Sequence, residues 1–471
     1  MPTPIRFGTD GWRAVIGEDY TFENVRIVTQ AVADYLQQAK LAERGLIVGY
    51  DTRFGSERFA MAASEVLAAN GIHVYLTNKP TPTPVISWGI LDKKAGGASI
   101  ITASHNPGTD NGYKYKPDYA GSASPLIVSR LEANLERTPW ARIDYKDGER
   151  QGLIERFDPL PAYQAQISRL VDLEAIKRAG LTIIVDSMYG AGAGYYPQLL
   201  DGSATKVIQI NAERNPIFPG IRAPEPIDGN LGKLKKVVKE SGADVGIAFD
   251  GDADRVGLVD ENGHFVNQLE VFALLAYYLL DVRGWRGPLI KSLSTTSMVT
   301  RLGELYNVPV IETPVGFKHI GPKMLEERAI IGGEESGGFG FANHIPERDG
   351  VVAGLFLIDF MLRRNKTPGE LLQELFGRVG EHFYNRLDLT YNAAQRSRIL
   401  QRVADEEPEQ IAGQRVVAIS TESGYKYTLE DGSWLLIRFS GTEPLLRIYT
   451  EMRSAEAVQA ALADGRALTG V

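Results

Sequence analysis

Aspartate recurs at every second position in DGDADR, residues 250–255. Alternate residues of extended backbone share a face, so Asp250, Asp252 and Asp254 can converge on one hard cation through oxygen. Without a counter-ion, three such charges repel one another. An EF-hand register, with Asp250 first and Glu261 twelfth, fails because Arg255 takes the sixth place, where that loop needs glycine, and because a strand-like run precedes it. Few protein oxygens, with space for a phosphate oxygen, suit Mg²⁺ better than calcium. A solvated acidic turn is the plain alternative.

Three further stretches could carry chemistry. ITASHNPGTDNGYK, residues 101–114, sets Ser104 beside His105 and ends on Lys114. A hydrolytic triad is disfavoured, because chain neighbours rarely aim an imidazole at the hydroxyl and no G-x-S-x-G elbow surrounds the serine. A turn capped by Ser104 and Asn106 is the competing reading. RFSGTEP, residues 438–444, joins Arg438 to Ser440, Gly441 and Thr442, a guanidinium and a small nest able to hold phosphate. GEESGG, residues 333–338, offers Glu334 and Ser336 to sugar hydroxyls; Glu334 and Glu335 as a glycosidase pair would sit too close along the chain. GAGAG at 190–194 lacks the ending of a dinucleotide fingerprint and reads as a tight turn.

Such loops must be carried to one place by regular elements. From residue 22, helical periodicity alternates with short apolar runs: TFENVRIVTQAVADYLQQ, LIVGYD, SERFAMAASEVLAANG, HVYLTN. That is the pattern of a sheet covered by helices. A second unit repeats the order from TIIVDS to DVGIAFDGDADR, and a third from a helix over 269–283 to AIIGGEESGG. In each, a strand-like run empties into a polar loop, IITASHNP, GIAFDGDADR or AIIGGEESGG. The carboxyl ends of strands are where α/β sheets bind ligands. Short strands and a closing helix near 455–466 indicate a smaller α+β domain at the end. The expected domains are 1–145, 146–257, 258–367 and 368–471.

A chain of 471 residues, 44% hydrophobic and 23% charged, has material for several cores. With 51 basic against 59 acidic residues, a net charge of −8 disfavours nucleic acid or anionic membrane as partner. Any anion must then be bound locally. The absence of cysteine excludes disulfides, thiolate catalysis and sulfur-ligated zinc. VFALLAYYLL at 271–280 is too short to span a bilayer and is expected as buried helix, and MPTPIRFGTDGWR lacks an apolar signal run. A cytoplasmic protein is expected.

With FGTDGWR at the start and TASHNP, DGDADR, GEESGG and RFSGTEP following in order, the sequence resembles the α-D-phosphohexomutase superfamily, which includes phosphoglucomutase and phosphomannomutase, over essentially its whole length. The resemblance implies four domains around a central cleft, three similar α/β domains and a smaller C-terminal α+β domain. It implies Ser104 as a phosphoserine that joins Asp250, Asp252 and Asp254 around one Mg²⁺. Glu334 and Ser336 would hold sugar hydroxyls, and Arg438, Ser440, Gly441 and Thr442 the phosphate that is not reacting. Lys114 and Arg255 would handle protons and phosphate charge, with Arg13 reaching the phosphoserine. His105, Lys114, Lys291 and His319 are the candidate bases.

The implied reaction interconverts hexose 1-phosphate and hexose 6-phosphate through a hexose 1,6-bisphosphate, which also serves as activator. Glucose is the first expectation and mannose the second. A phosphoglucosamine mutase is disfavoured, because its recognition loop usually has glutamine before the serine. Gly338 stands where some bifunctional members have histidine, so this loop does not assign the sugar. A glucose 1,6-bisphosphate synthase, or a non-catalytic sugar-phosphate-binding protein, would share these motifs. The expected partners are small sugar phosphates, with the chain a monomer or homodimer.

Overall fold

A computed structural model describes residues 5–8, 10–200, 204–439 and 445–471. In the first unit, strands Leu46–Tyr50, Val74–Thr77, Gly97–Ile101 and Ile154–Phe157 run parallel. Leu46, Val48 and Tyr50 pack under helices Phe22–Gln38 and Ser56–Ala69, while Ile47 faces helix Thr83–Lys93 on the other side. This period of two, apolar on both faces, is what a sheet buried between helices requires. The second unit pairs Thr182–Asp186 in parallel with Lys206–Ile210 and Val245–Phe249, and the third pairs Leu289–Ser292 in parallel with Val310–Thr313 and Ile331–Gly333.

The three units share one further feature. A strand at one side of each parallel set turns back on an antiparallel partner: Gly97–Ile101 on Asp110–Pro117, Val245–Phe249 on Val256–Val259, and Ile331–Gly333 on Phe339–Phe341. The three polar loops found in the sequence are the turns of these hairpins, each at a strand's carboxyl end. The fourth unit is a six-stranded antiparallel sheet that packs helices Arg396–Asp405 and Ala455–Thr469.

The sheets run past the expected divisions. Ile154–Phe157 closes the first sheet, beyond 145, and the hairpin Val256–Val259 with Phe265–Val266 carries the second past 257. Helix Pro368–Val379 buries Leu371, Leu375 and Val379 in the core of the third unit, past 367. In each case an edge element follows the motif loop and is held by pairing or packing that leaves no local mark. The run 271–280 is buried throughout, as helix Gln268–Tyr277 and the turn that extends it. Among the described residues, no helix is long and apolar enough to cross a membrane.

Candidate active site

Ser104 sits in the first hairpin turn, fully buried, in a left-handed backbone conformation with φ 52°. A serine there is strained and must be held by its surroundings. Its N–H donates to Thr102 Oγ1 at 2.8 Å. The buried Arg53 guanidinium donates to four carbonyls of the same loop: Ser104 and Asn106 at 2.6 Å each, Pro107 at 2.7 Å and Asp110 at 3.0 Å. Arg13 fixes the Asn106 side chain at 2.7 Å. Such a loop presents its hydroxyl from a rigid frame.

That hydroxyl donates to Asp250 Oδ2 at 2.7 Å, across 146 residues of chain. His105 Nδ1 lies 3.4 Å from the same Oγ. Among the described residues no carboxylate backs the ring, so the hydrolytic triad has no third member. Burial, then Arg255, Arg13, Lys114 and Arg348, hold the His105 imidazole well below its ordinary pKa.

The second hairpin turn brings Asp250, Asp252 and Asp254 together, all fully buried, with candidate ligand oxygens within 4.8 Å of one another. Ala253 between the last two takes φ 55°. Each of those two carboxylates commits Oδ2 to protein donors. Thr83 Oγ1 and Lys114 Nζ reach Asp252 at 2.6 and 2.7 Å, and Lys114 and Arg348 reach Asp254 at 3.2 and 2.8 Å. Asp252 Oδ1 and Asp254 Oδ1 remain buried without a partner. Two orphaned carboxylate oxygens beside a buried serine hydroxyl fit a hard divalent cation such as Mg²⁺. Burial, then Asp254 and Asp252, push Asp250 well above the ordinary carboxylate range. Burial would do the same to Asp252, but Lys114 and Thr83 hold it below.

Lys114 is therefore a counter-charge. Burial favours its neutral form, yet Asp10 at 2.8 Å, Asp252 and Asp254 outweigh that and raise its pKa above the ordinary lysine value. Around it lies a network that sequence reasoning missed. Arg348 contacts Asp10, Asp254 and, at 3.5 Å, Glu334; Lys116 reaches Asp10 at 2.9 Å and Glu347 at 2.5 Å. The only sequence signals were Asp10 inside FGTDGWR and the charged ERDG at 347–350. The Arg255 guanidinium pairs with Glu225 at 2.9 Å, while its backbone N–H donates to Asp250 Oδ1 at 3.0 Å.

In the third hairpin the adjacent glutamates diverge. Glu334 is buried toward Arg348, and burial raises its pKa, whereas Glu335 accepts from Tyr384 of the fourth unit at 2.7 Å. This removes the glycosidase pair. Ser336 is half-buried within the turn closed by Glu334 N–H on the Gly338 carbonyl at 3.1 Å. His319 lies in the first turn of helix Phe317–Glu327, two positions from the Phe317 ring over which Arg348 passes at 5.7 Å. Lys291 is drawn elsewhere: its Nζ meets the Thr296 carbonyl at 3.1 Å and Glu312 at 3.7 Å, at the junction with the last unit. Arg438 is half-buried at the end of strand Trp434–Phe439, opposite Arg447. Ser440, Gly441 and Thr442 lie outside the described residues.

Models of the phosphoglucomutase/phosphomannomutase alpha/beta/alpha domains I, II and III match residues 4–142, 161–263 and 267–379, and that of the C-terminal domain matches 399–467. A phosphoglucomutase/phosphomannomutase of Thermococcus kodakarensis is 33% identical over 96% of this chain and 95% of its own. The chain belongs to the α-D-phosphohexomutase superfamily. As a phosphohexomutase it also resembles a protein named a probable phosphoglucosamine mutase in Pyrococcus horikoshii, 30% identical over 96% of this chain and 94% of the other. A solved structure from Thermus thermophilus, described as a putative phosphomannomutase, superposes with a TM-score of 0.86 at 34% identity, covering 100% of both chains. The phosphohexomutase fold is thus shared along the full length, while the relatives' names differ in the sugar.

Proposed function

We propose that this phosphohexomutase interconverts hexose 1-phosphate and hexose 6-phosphate, with glucose first and mannose second, using Ser104 as phosphate carrier. The observation that carries this reading is the buried Ser104 hydroxyl on Asp250 at 2.7 Å, next to the orphaned oxygens of Asp252 and Asp254. Phosphoserine 104 gives its phosphoryl group to a free sugar hydroxyl: the serine P–O bond breaks, a sugar P–O bond forms, and the sugar hydroxyl proton goes to a base. The resulting hexose 1,6-bisphosphate turns over in the cleft, and its other phosphate returns to Ser104 while the released sugar oxygen takes up a proton. Added bisphosphate would activate by phosphorylating unloaded Ser104.

Asp250, Asp252, Asp254 and Ser104 would hold Mg²⁺, which when bound neutralises charge on the transferring group. Arg53 and Arg13 keep the carrier loop rigid, and Lys114 balances the aspartates. His105 Nδ1, beside Oγ, is placed to exchange the serine-side proton, with His319 a candidate on the sugar side. Glu334 and Ser336 orient the sugar, and Arg438, with Ser440, Gly441 and Thr442, takes the idle phosphate. Arg255, aligned by Glu225, adds positive charge near the carrier, and Lys291 lines the junction behind the sugar loop.

Intact-protein and peptide mass spectrometry should find phosphate on Ser104, and Ser104→Ala should lower conversion of glucose 1-phosphate to glucose 6-phosphate by about 10³-fold or more. Full turnover by Ser104→Ala with bisphosphate and Mg²⁺ present would refute the carrier role. Parallel assays on glucose, mannose and glucosamine 1-phosphates rank the sugars.

A further inference from the structure

One buried histidine takes no part in the site described above. His344 follows strand Phe339–Phe341, with its side chain wholly shielded from solvent. Its Nε2 is 2.8 Å from Asp349 Oδ2, and its ring stacks on Trp88 with centroids 5.5 Å apart and an interplanar angle of 18°. Asp349 also accepts the Tyr163 hydroxyl, at 2.8 and 3.0 Å from its two oxygens. An aspartate carboxylate only accepts, so the imidazole hydrogen lies on Nε2. Trp88 comes from the first unit, Tyr163 from the second, and His344 and Asp349 from the third.

Both ends of this cluster lead to the aspartate loop. On one side, Asp349 caps helix Gly350–Arg364 by accepting from Val352 N–H at 2.9 Å. The next residue, Gly350, donates its N–H to the Ala253 carbonyl at 3.1 Å. A Cβ on Gly350 would lie 2.4 Å from the Arg255 carbonyl oxygen, so its backbone is seated directly on the loop. On the other side, Trp88 belongs to helix Thr83–Lys93, whose first residue gives its N–H to the Asp252 carbonyl at 2.9 Å and its hydroxyl to Asp252 Oδ2 at 2.6 Å. Asp252, Thr83, Trp88, His344, Asp349, Gly350 and Ala253 thus form a closed circuit.

We propose that His344, acting through Asp349, is a positioning residue that holds the left-handed turn at Ala253 in the shape that turns Asp252 Oδ1 and Asp254 Oδ1 toward a cation. The inference rests on the metal reading of the aspartate loop. Groups that orient ligands through a second layer of hydrogen bonds commonly govern metal affinity about 10–100-fold when removed.

The test is Mn²⁺ binding to the full chain, followed by electron paramagnetic resonance of the free ion. His344→Leu keeps bulk against Trp88 but has no donor, and His344→Gln restores one. The expected result is about tenfold weaker Mn²⁺ binding in His344→Leu and near wild-type binding in His344→Gln. Wild-type affinity in a folded His344→Leu overturns the proposal, and so does equal loss in both variants, which would make the effect one of packing. Tyr163→Phe removes a donor from the same carboxylate with little change in volume, and serves if His344→Leu does not fold; severalfold weaker binding supports the proposal and unchanged binding refutes it. If the wild type binds no Mn²⁺, the metal reading fails and the inference with it.

Discussion

Gly251 lies between two of the aspartates with its backbone against the carrier loop. A Cβ there would stand 2.4 Å from the Ser104 carbonyl oxygen and 3.2 Å from Pro224 Cγ. The carbonyl cannot yield freely, since it is held by Arg53 at 2.6 Å. Gly251→Ala is therefore expected to cost about 1–3 kcal/mol of stability, and to lower kcat more than it raises KM because it separates Ser104 from Asp250. Denaturant melts with initial rates check both, and a variant with wild-type kcat would refute the close-approach argument. Ser104 and the aspartates were legible in the sequence as site candidates because each motif is local and ends a strand-like run; the family resemblance, and not the residue types alone, chose between a site and a capped or acidic turn. Arg53, Asp10 and Arg348 were not legible, because a buried charge declares its role only through partners that folding brings to it, as Arg348 meets Asp10 across 338 residues.

The helices and hairpins set how those residues are presented. Strand–helix alternation was readable from period alone, but the antiparallel return of each motif hairpin was not, since strand direction leaves no trace in apolar patterning. Helix Gln268–Tyr277 shows the dependence of site on element. Its Phe272 ring lies against Gly333 of the sugar loop, where a Cβ would come within 2.7 Å, and its start is fixed by a capping box between Asn267 and Glu270. Burial raises Glu270 from 4.5 to about 7. The folded state thus keeps this proton to higher pH than the unfolded chain, so the associated stability is complete below about 4.5 and is lost as pH rises through about 7. Glu270→Gln can still accept from Asn267 N–H but does not ionise. Thermal melts should show the variant gaining on wild type between those limits, by about 2 kcal/mol. A constant difference across that range would sink the assignment.

At the scale of the whole molecule, the fourth unit docks on the third through Leu293, Trp434, Leu436 and Tyr449, with Lys426 of the fourth reaching Glu312 of the third at 2.6 and 2.8 Å. Lys426 is nearly buried, and burial followed by repulsion from Lys291 lowers its pKa from 10.5 to about 8, against the pull of Glu312. The unfolded chain holds that proton longer, so charged Lys426 costs stability below about pH 8, and the cost is relieved as pH rises from there toward 10.5. Glu312 makes the cost bearable at neutral pH. Glu312→Gln leaves two lysines facing each other at the junction and should destabilise the protein at pH 7 by about 1 kcal/mol, a figure discounted for the partial exposure of Glu312. By about pH 9.5 Lys426 is neutral in both proteins, so the difference should narrow. Melts at the two pH values, with proteolysis of the 379–383 connection as a readout of docking, decide it: an equal penalty at both would mean that packing of Trp434 and its neighbours holds the domains together without help from this pair.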